Sequence, residues 1–304
     1  MKPLQLPSPL GPLAPPLVAP LGPRVTRLAA RLTVRCLDEL RRYRAPSSAL
    51  VRATALELVI LAGHLVLYPT GVVPERPVPR RAGRPRGGTP RLPAGDTVPT
   101  VLLHGFADNR SVFVLLRRAL AQHGPHQVAC LNYSPLTCDI RAAADLLGRH
   151  VEEVCARTGR AEVDIVGHSL GGLIARYYVQ RLGGDRRVRT LVTLGTPHAG
   201  TSVAPLAGVH PIVRQMRPGS SVIEELRAPA PGCRTRFVSF WSDLDRIMVP
   251  VESARLDHPD LLAENVPVSG IGHLALPVHP AVAAGIREAL APGPRATGPV
   301  EAVA

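Results

Sequence analysis

One stretch of the chain, Val163-Asp164-Ile165-Val166-Gly167-His168-Ser169-Leu170-Gly171-Gly172, sets a serine between two glycines at the end of an apolar run. A serine hydroxyl is a weak nucleophile until a base takes its proton and a sharp turn lifts it clear of the backbone. Gly-x-Ser-x-Gly meets that need when a strand precedes it and a helix follows. Here Val163–Val166 reads as the strand and Leu170–Leu182 as the helix. Gly167 and Gly171 lack a Cβ, so strand and helix can approach closely around the bend. The helix N-terminus then faces the serine oxygen and favours negative charge developing there. Ser169 is the candidate nucleophile, with Gly167, His168 and Gly171 shaping the turn. The competing reading is a strand-to-helix turn without chemistry.

A serine of this kind needs a base, and the base needs an orienting acid. On a strand-to-helix turn these follow in the chain order serine, acid, histidine. Downstream, Phe237–Trp241 reads as a strand running into Ser242-Asp243-Leu244-Asp245. Asp245, directly before an apolar Ile-Met-Val-Pro stretch with Arg246 between, is the candidate acid, and Asp243 is the fallback. Asn265–Val268 is a further strand, leading to Gly272-His273; His273 is the candidate base and His279 the weaker one. Upstream by about 65 residues, Val98–Leu103 ends in His104-Gly105-Phe106. The loop after an early strand supplies one N–H of an oxyanion hole, here that of Phe106; the residue after the nucleophile, Leu170, supplies the other. His104 reads as a packing residue under that loop.

The elements that must position these residues follow from the texture of the chain. Val128–Leu131 and Leu191–Leu194 are further short apolar runs, and Val112–Gln122 and Asp139–Thr158 are helical patterns between strands. Strand–helix alternation of this kind predicts an α/β fold, a mostly parallel central sheet with helices on both faces. It extends over residues 98–290, with a small cap around 201–233 and a flexible tail at 291–304. The cap carries Val203, Leu206, Val209, Ile212, Val213 and Met216, suited to lining or covering an acyl groove.

The first 97 residues are different. They hold 15 of the 36 basic and 5 of the 23 acidic residues, a net +10 of the chain's +13. Eight prolines within residues 1–23 exclude the helical core of a cleavable signal peptide and predict a disordered extension. Residues 24–44 form a basic amphipathic helix pattern with Arg27, Arg31 and Arg35 in one row. Residues 53–68 are apolar apart from Glu57 and His64. Three placements compete for this segment: a marginal membrane span, a hairpin dipping into one leaflet, and a helix packed on the globular domain. A helical N-terminal extension over 24–73, able to touch a membrane surface, is therefore expected, followed by a Pro/Arg-rich linker over 74–97. Aromatic residues are 3% of the chain, too few for a base-stacking surface, so no specific nucleic-acid partner is expected. The five cysteines, Cys36, Cys130, Cys138, Cys155 and Cys233, lack zinc-type spacing, and no metal or cofactor is expected. Cys130 and Cys138 would close a short loop if the domain faced the cell exterior; buried or surface thiols are the competing reading.

Taken together, the His104-Gly105-Phe106 strand end, the Gly167–Gly172 turn, Leu194-Gly195-Thr196-Pro197-His198-Ala199-Gly200-Thr201, Ser242–Asp245 and Gly272-His273 resemble the lipase and esterase branch of the α/β-hydrolase superfamily, in particular actinobacterial triacylglycerol lipase-like proteins. The resemblance covers residues 98–290. It implies a triad of Ser169, Asp245 and His273, an oxyanion hole at Phe106 and Leu170, and an ester or lipid substrate; a monomer is expected. Membrane-associated or cytoplasmic placement is expected, with an extracellular face also open. Acyl transfer, thioester or amide cleavage on the same triad, or a catalytically silent membrane-tethered binding protein, are the alternatives. The short cap departs from the large lids of many lipases, and no motif for a structural metal is present; His198 and Asp185 read as packing and surface residues.

Overall fold

Six parallel strands form one sheet: β1 (Thr100–Leu103), β2 (Val128–Leu131), β3 (Val163–His168), β4 (Val188–Leu194), β5 (Arg236–Ser242) and β6 (Leu262–Val268), in the order β2-β1-β3-β4-β5-β6. The computed structural model describes residues 48–72, 98–106, 108–122, 127–134, 139–203 and 210–291. The Pro-rich 1–23 stretch, the basic 24–44 helix, the 74–97 linker, most of the 291–304 tail, Leu206, Val209, Cys36 and Cys138 lie outside the described residues.

Every residue of β1 and β3 is buried. That is the state expected of strands covered on both faces, which read as continuous apolar runs rather than as alternations. β1 pairs with β2 on one side and β3 on the other, so the chain reverses its direction of travel across the sheet at β1. Sheets of this plan bind ligands outside the carboxyl ends of the strands flanking such a reversal. The serine turn leaves β3 there, and the Asp245 turn leaves β5.

Two apolar layers sandwich the sheet. On one face α3 (Ile140–Thr158) and α4 (Leu170–Arg181) pack through Leu147, Val151, Leu173 and Ile174. On the other, α2 (Val114–Ala121) and α7 (Pro280–Leu290) pack through Leu116, Leu120, Val282 and Ile286. Burying a leucine- or isoleucine-sized side chain stabilises by about 1.5–3 kcal/mol. α3 starts where Asp139 accepts a bond from Ala142 N (2.7 Å) and ends at Gly159, in the left-handed region at φ 71°. Such caps contribute about 1 kcal/mol each.

The expected Val112–Gln122 helix divides in two. Residues Arg110–Phe113 form a tighter 3-10 turn, capped by the Asn109 side chain, before α2 begins. Asn109 also donates from Nδ2 to the Tyr68 carbonyl, 2.8 Å away, which pins the turn. β4 and β6 each begin about three residues earlier than their apolar runs. Charged residues hide those starts: Arg189 binds Asp164 with two hydrogen bonds of 2.9 and 2.6 Å, and Arg236 binds Glu264 at 2.8 Å.

In the cap region, α5 (Pro211–Gln215) and α6 (Ser221–Arg227) pack back onto the α3–α4 layer. Ile212, Val213 and Met216 are buried in that layer rather than lining an open groove.

The 53–68 segment belongs to a 25-residue helix, α1 (Ser48–Val72). It lies against the domain through Ala53, Ile60, His64 and Gly71. Its last carbonyls, orphaned at any helix C-terminus, accept side-chain bonds from the domain: Asn109 to Tyr68 O at 2.8 Å and Asn132 to Gly71 O at 2.7 Å. A Cβ on Gly71 would collide with Asn109, so glycine is what lets the helix come this close. α1 is long and apolar enough, by length and composition, to cross a membrane. In the structure the segment is a helix docked on the domain, with Leu58, Val59, Leu65 and Val66 exposed on its other face.

Candidate active site

Ser169 sits at φ 53°, ψ −119°, and among the described residues it is the one non-glycine with positive φ. A backbone held there costs on the order of 1–3 kcal/mol and persists only where its surroundings enforce it. Three bonds do so: Ser169 N donates to Leu194 O (2.9 Å), Gly172 N to Ser169 O (3.0 Å) and Thr196 Oγ1 to Ser169 O (3.0 Å). The flanking glycines have a steric reason. A Cβ on Gly167 would lie 2.6 Å from Gly172 N, and one on Gly171 would lie 2.5 Å from the Leu103 carbonyl oxygen.

Asp245 is buried in the turn after β5. Its Oδ1 accepts from the N–H groups of Ile247 (2.9 Å) and Met248 (3.2 Å), and its Oδ2 accepts from Nδ1 of His273 at 2.7 Å. Asp243, the fallback, is exposed and caps Gly270 N instead. His279 stands at the start of α7. Burial alone would lower the pKa of His273, but Asp245, then Glu57 and Asp108, favour the charged imidazolium and the balance is raised above the ordinary value.

The His168 ring links the two halves of the site. It lies 4.7 Å from the His273 ring, and its Nε2–H donates to the His273 carbonyl at 3.2 Å. Among the described residues, no hydrogen bond joins the Ser169 hydroxyl to His273. Catalytic hydrogen bonds are often long or misaligned before substrate arrives and tighten only with it.

The Gly105-Phe106 loop passes beside the serine, since a Cβ on Gly105 would lie 3.5 Å from Ser169 Cβ. Phe106 is half-buried, its ring edge-on to His210 at 5.5 Å. Leu170 opens α4, where a helix has unsatisfied N–H groups. His104 is a packing residue: it stacks on Tyr133 at 4.4 Å, bonds to Gly105 O at 2.9 Å, and burial lowers its pKa to about 4. His198 is likewise internal, bonded to Thr193 at 3.0 Å and held neutral by burial and then by the Arg176 charge. Asp185 is half-exposed in a short 3-10 turn.

Three further residues of the site are not singled out individually by the primary structure. Gly195 follows β4 at φ 53°, where a Cβ would lie 2.9 Å from Asp245 Oδ2 and 3.0 Å from His273 Nδ1. Asp108 holds a mostly buried carboxyl 3.8 Å from both His64 and His168, and desolvation raises its pKa against the pull of His64 and His273. Glu57, on α1, accepts hydrogen bonds from the backbone after His273. Gly195 was discoverable only as part of the Leu194–Thr201 segment, and nothing local marks the other two. Among the described residues, no group of three or more His, Cys, Asp and Glu could hold a metal ion. A recess of about 570 Å³ beside the Asp245 turn is lined by Leu50, Met248 and Val249, among others, but by neither Ser169 nor His273.

An all-parallel sheet with a serine on the sharp turn after its third strand, and a buried Asp–His pair from later loops, is an α/β-hydrolase fold, and the chain's similarities lie with the lipases and esterases of that superfamily. The family model described as palmitoyl protein thioesterase matches residues 99–231. A triacylglycerol lipase of Burkholderia plantarii is 30% identical over 141 residues, 42% of this chain and 38% of that protein. One of Pseudarthrobacter phenanthrenivorans is 31% identical over 119 residues, 36% of each chain. This chain thus spans less than two-fifths of the length of these curated relatives. Among solved structures, Aspergillus fumigatus lipase B superposes with a TM-score of 0.57 at 18% identity, over 64% of this chain and 52% of that one. The mature form of Bacillus licheniformis lipase BlEst2 gives 0.55 at 18% identity, over 65% and 93%.

Proposed function

We propose that this chain is a serine hydrolase that cleaves carboxylic esters of lipids through an acyl-enzyme. The observation that carries the reading is the buried Asp245–His273 pair, 2.7 Å apart, beside a serine held at positive φ. In the proposed cycle His273 Nε2 takes the Ser169 proton as the hydroxyl oxygen attacks the ester carbonyl. Asp245 holds the ring and stabilises its cation. The N–H groups of Phe106 and Leu170 receive the oxyanion; removing one such donor costs about 3–4 kcal/mol in related sites. His273 then protonates the departing alcohol. A water, deprotonated by the same imidazole, attacks the acyl-enzyme, releasing the acid and restoring Ser169. The similarity to triacylglycerol lipases supports an ester of a fatty acid as substrate.

The test is a series of p-nitrophenyl esters of increasing acyl length, run on the wild type and on Ser169→Ala, with labelling by a fluorophosphonate probe. Turnover and labelling should both vanish in the variant. An unlabelled wild type, or a Ser169→Ala variant as active as its parent, removes the hydrolase reading.

One observation favours a second reading, thioester cleavage: the match of residues 99–231 to the palmitoyl protein thioesterase model. Comparing kcat/KM for a thioester and an oxyester of the same acyl group separates the two.

Placement at a lipid surface is also part of the proposal, supported by the exposed Leu58, Val59, Leu65 and Val66 on α1. Co-flotation with phospholipid vesicles should fall in a Leu65→Asp/Val66→Asp variant, and unchanged flotation would count against it.

A further inference from the structure

α1 begins more than 200 residues before the loop that carries His273, yet the two meet through one side chain. Glu57 Oε2 accepts the Leu274 N–H at 3.0 Å, and Glu57 Oε1 accepts the Ala275 N–H at 2.9 Å. These are the two amides that follow His273. The carboxylate also lies flush against Gly272, the residue before it, where a Cβ would fall 2.5 Å from Glu57 Cδ. Glu57 thus grips the backbone on both sides of the imidazole. Hydrogen bonds from an amide to a charged acceptor are worth about twice a neutral one, and here two share one carboxylate.

This contact has no local purpose for α1. Holding a carboxylate at the docked face of a mostly apolar helix is costly, and the helix already docks through Ala53, Ile60, His64, Asn109 and Asn132. What Glu57 adds falls on the loop. Residues Leu274–Val278 are turns and not a regular element; the Leu276 and Val278 amides bond within the turns, to the His273 and Ala275 carbonyls, while those of Leu274 and Ala275 are held by Glu57. A loop that must present an imidazole within a fraction of an ångström needs such an external anchor.

We propose that Glu57 is a positioning residue for His273, and that α1 is therefore part of the catalytic unit and not merely an appendage to it. The inference rests on the proposed role of His273 as general base. Four acidic or basic groups face that imidazole: Asp245 from the turn after β5, Glu57 from α1, Asp108 from the loop after β1 and His168 from the serine turn. Removing the Glu57 charge withdraws one of the influences that favour the imidazolium, so His273 would lose its proton at lower pH.

The experiment uses the full chain and four variants, Glu57→Gln, Glu57→Ala, Gly272→Ala and Glu57→Ala/Gly272→Ala, assayed on a p-nitrophenyl ester with Ser169→Ala as control. Glu57→Gln keeps the shape but turns a donor toward one of the two amides. Its kcat should fall about tenfold or more, with KM changed less than about threefold, because only the reacting geometry is disturbed. The acid limb of its kcat/KM profile should move to lower pH. Gly272→Ala should reproduce the loss in kcat by displacing the carboxylate. In the double variant the new methyl occupies vacated space, so the two losses should not add.

Wild-type kcat and acid limb in a folded Glu57→Gln protein would overturn the proposal. So would fully additive losses in the double variant, or a loss of activity that tracks thermal unfolding with the acid limb unmoved. If Ser169→Ala retains full turnover, the hydrolase reading fails and this inference falls with it. If Ser169→Ala is dead and the Glu57 and Gly272 variants match the wild type, only this inference fails.

Discussion

Asp245 Oδ2 and His273 Nδ1 stand 2.7 Å apart, with both side chains almost wholly withdrawn from water. The contact joins the turn after β5 to the loop after β6, 28 residues apart in sequence. A charged carboxylate is tolerated at that depth because its second oxygen is occupied by two backbone N–H groups, those of Ile247 and Met248. Asp245 is thus fixed by its own turn, and it fixes the imidazole in turn.

Asp245→Asn tests that chain of support. The amide loses the negative charge and favours the wrong imidazole tautomer, so kcat should fall by about 10³–10⁴-fold. Burial pulls the His273 pKa down and Asp245 is the foremost group pulling it up, so the residual activity should survive to lower pH than in the wild type. Ester hydrolysis from pH 4 to 9 measures both, and an unmoved acid limb would contradict the assignment.

Gly195→Ala is a steric test of the same pair. Its Cβ would meet Leu276, Asp245 and His273 within 2.8–3.0 Å, on a backbone at φ 53°. We expect kcat to fall about 10–100-fold. Gly270→Ala serves as the control: φ is 82° there, but nothing lies within 4 Å of the new methyl. It should cost about 1–2 kcal/mol of stability, from the backbone conformation alone, and leave kcat intact. Urea melts beside steady-state kinetics on the two proteins distinguish strain from obstruction; equal kinetics would refute the packing argument.

Acid should weaken the fold through three buried histidines. His104, His168 and His198 are buried and neutral, each with its pKa lowered, by desolvation first. Unfolding exposes them to take up protons, so stability present above pH 6.5 is lost as the pH falls below that value. For His104, lowered to about 4, the loss approaches about 3 kcal/mol between pH 6.5 and 4. His273, raised instead, contributes in the opposite sense: its share is present below pH 6.5 and is lost above its raised value. Thermal unfolding midpoints should fall from pH 7 to pH 4.5, and a flat profile would exclude the neutral histidines.

Arg176 couples the cap to the sheet. It is 2% exposed and donates to the carbonyls of His198 and Leu226, each at 2.9 Å. Desolvation, then the charges of Arg181 and Arg227, lower its pKa to about 9. Arg176→Lys keeps a cation but lacks the planar fork that reaches both carbonyls, and should destabilise by about 2–4 kcal/mol. An unchanged urea midpoint would show that the fork is dispensable.

Much of this arrangement could be read from residue order, for a reason of range. Strand–helix alternation and the glycines around Ser169 are local. Each depends on neighbours within a few positions, and the backbone must honour them wherever the segment ends up. The apolar runs were located well but cut short at Arg189 and Glu264, whose partners lie on other strands. The choice of Asp245 over Asp243 rested on the apolar residues beyond it, and burial now separates the two.

Composition and spacing alone settled the fold class, the serine turn and the short menu of acid and base candidates, because those follow from covalent neighbours and steric limits on φ and ψ. Which distant groups would converge was decided by packing. Glu57 interrupts an apolar stretch in the sequence, and with that helix lying against the domain it holds the His273 loop. No pattern within α1 could announce this, since the partners of the carboxylate are backbone amides, which every residue but proline carries.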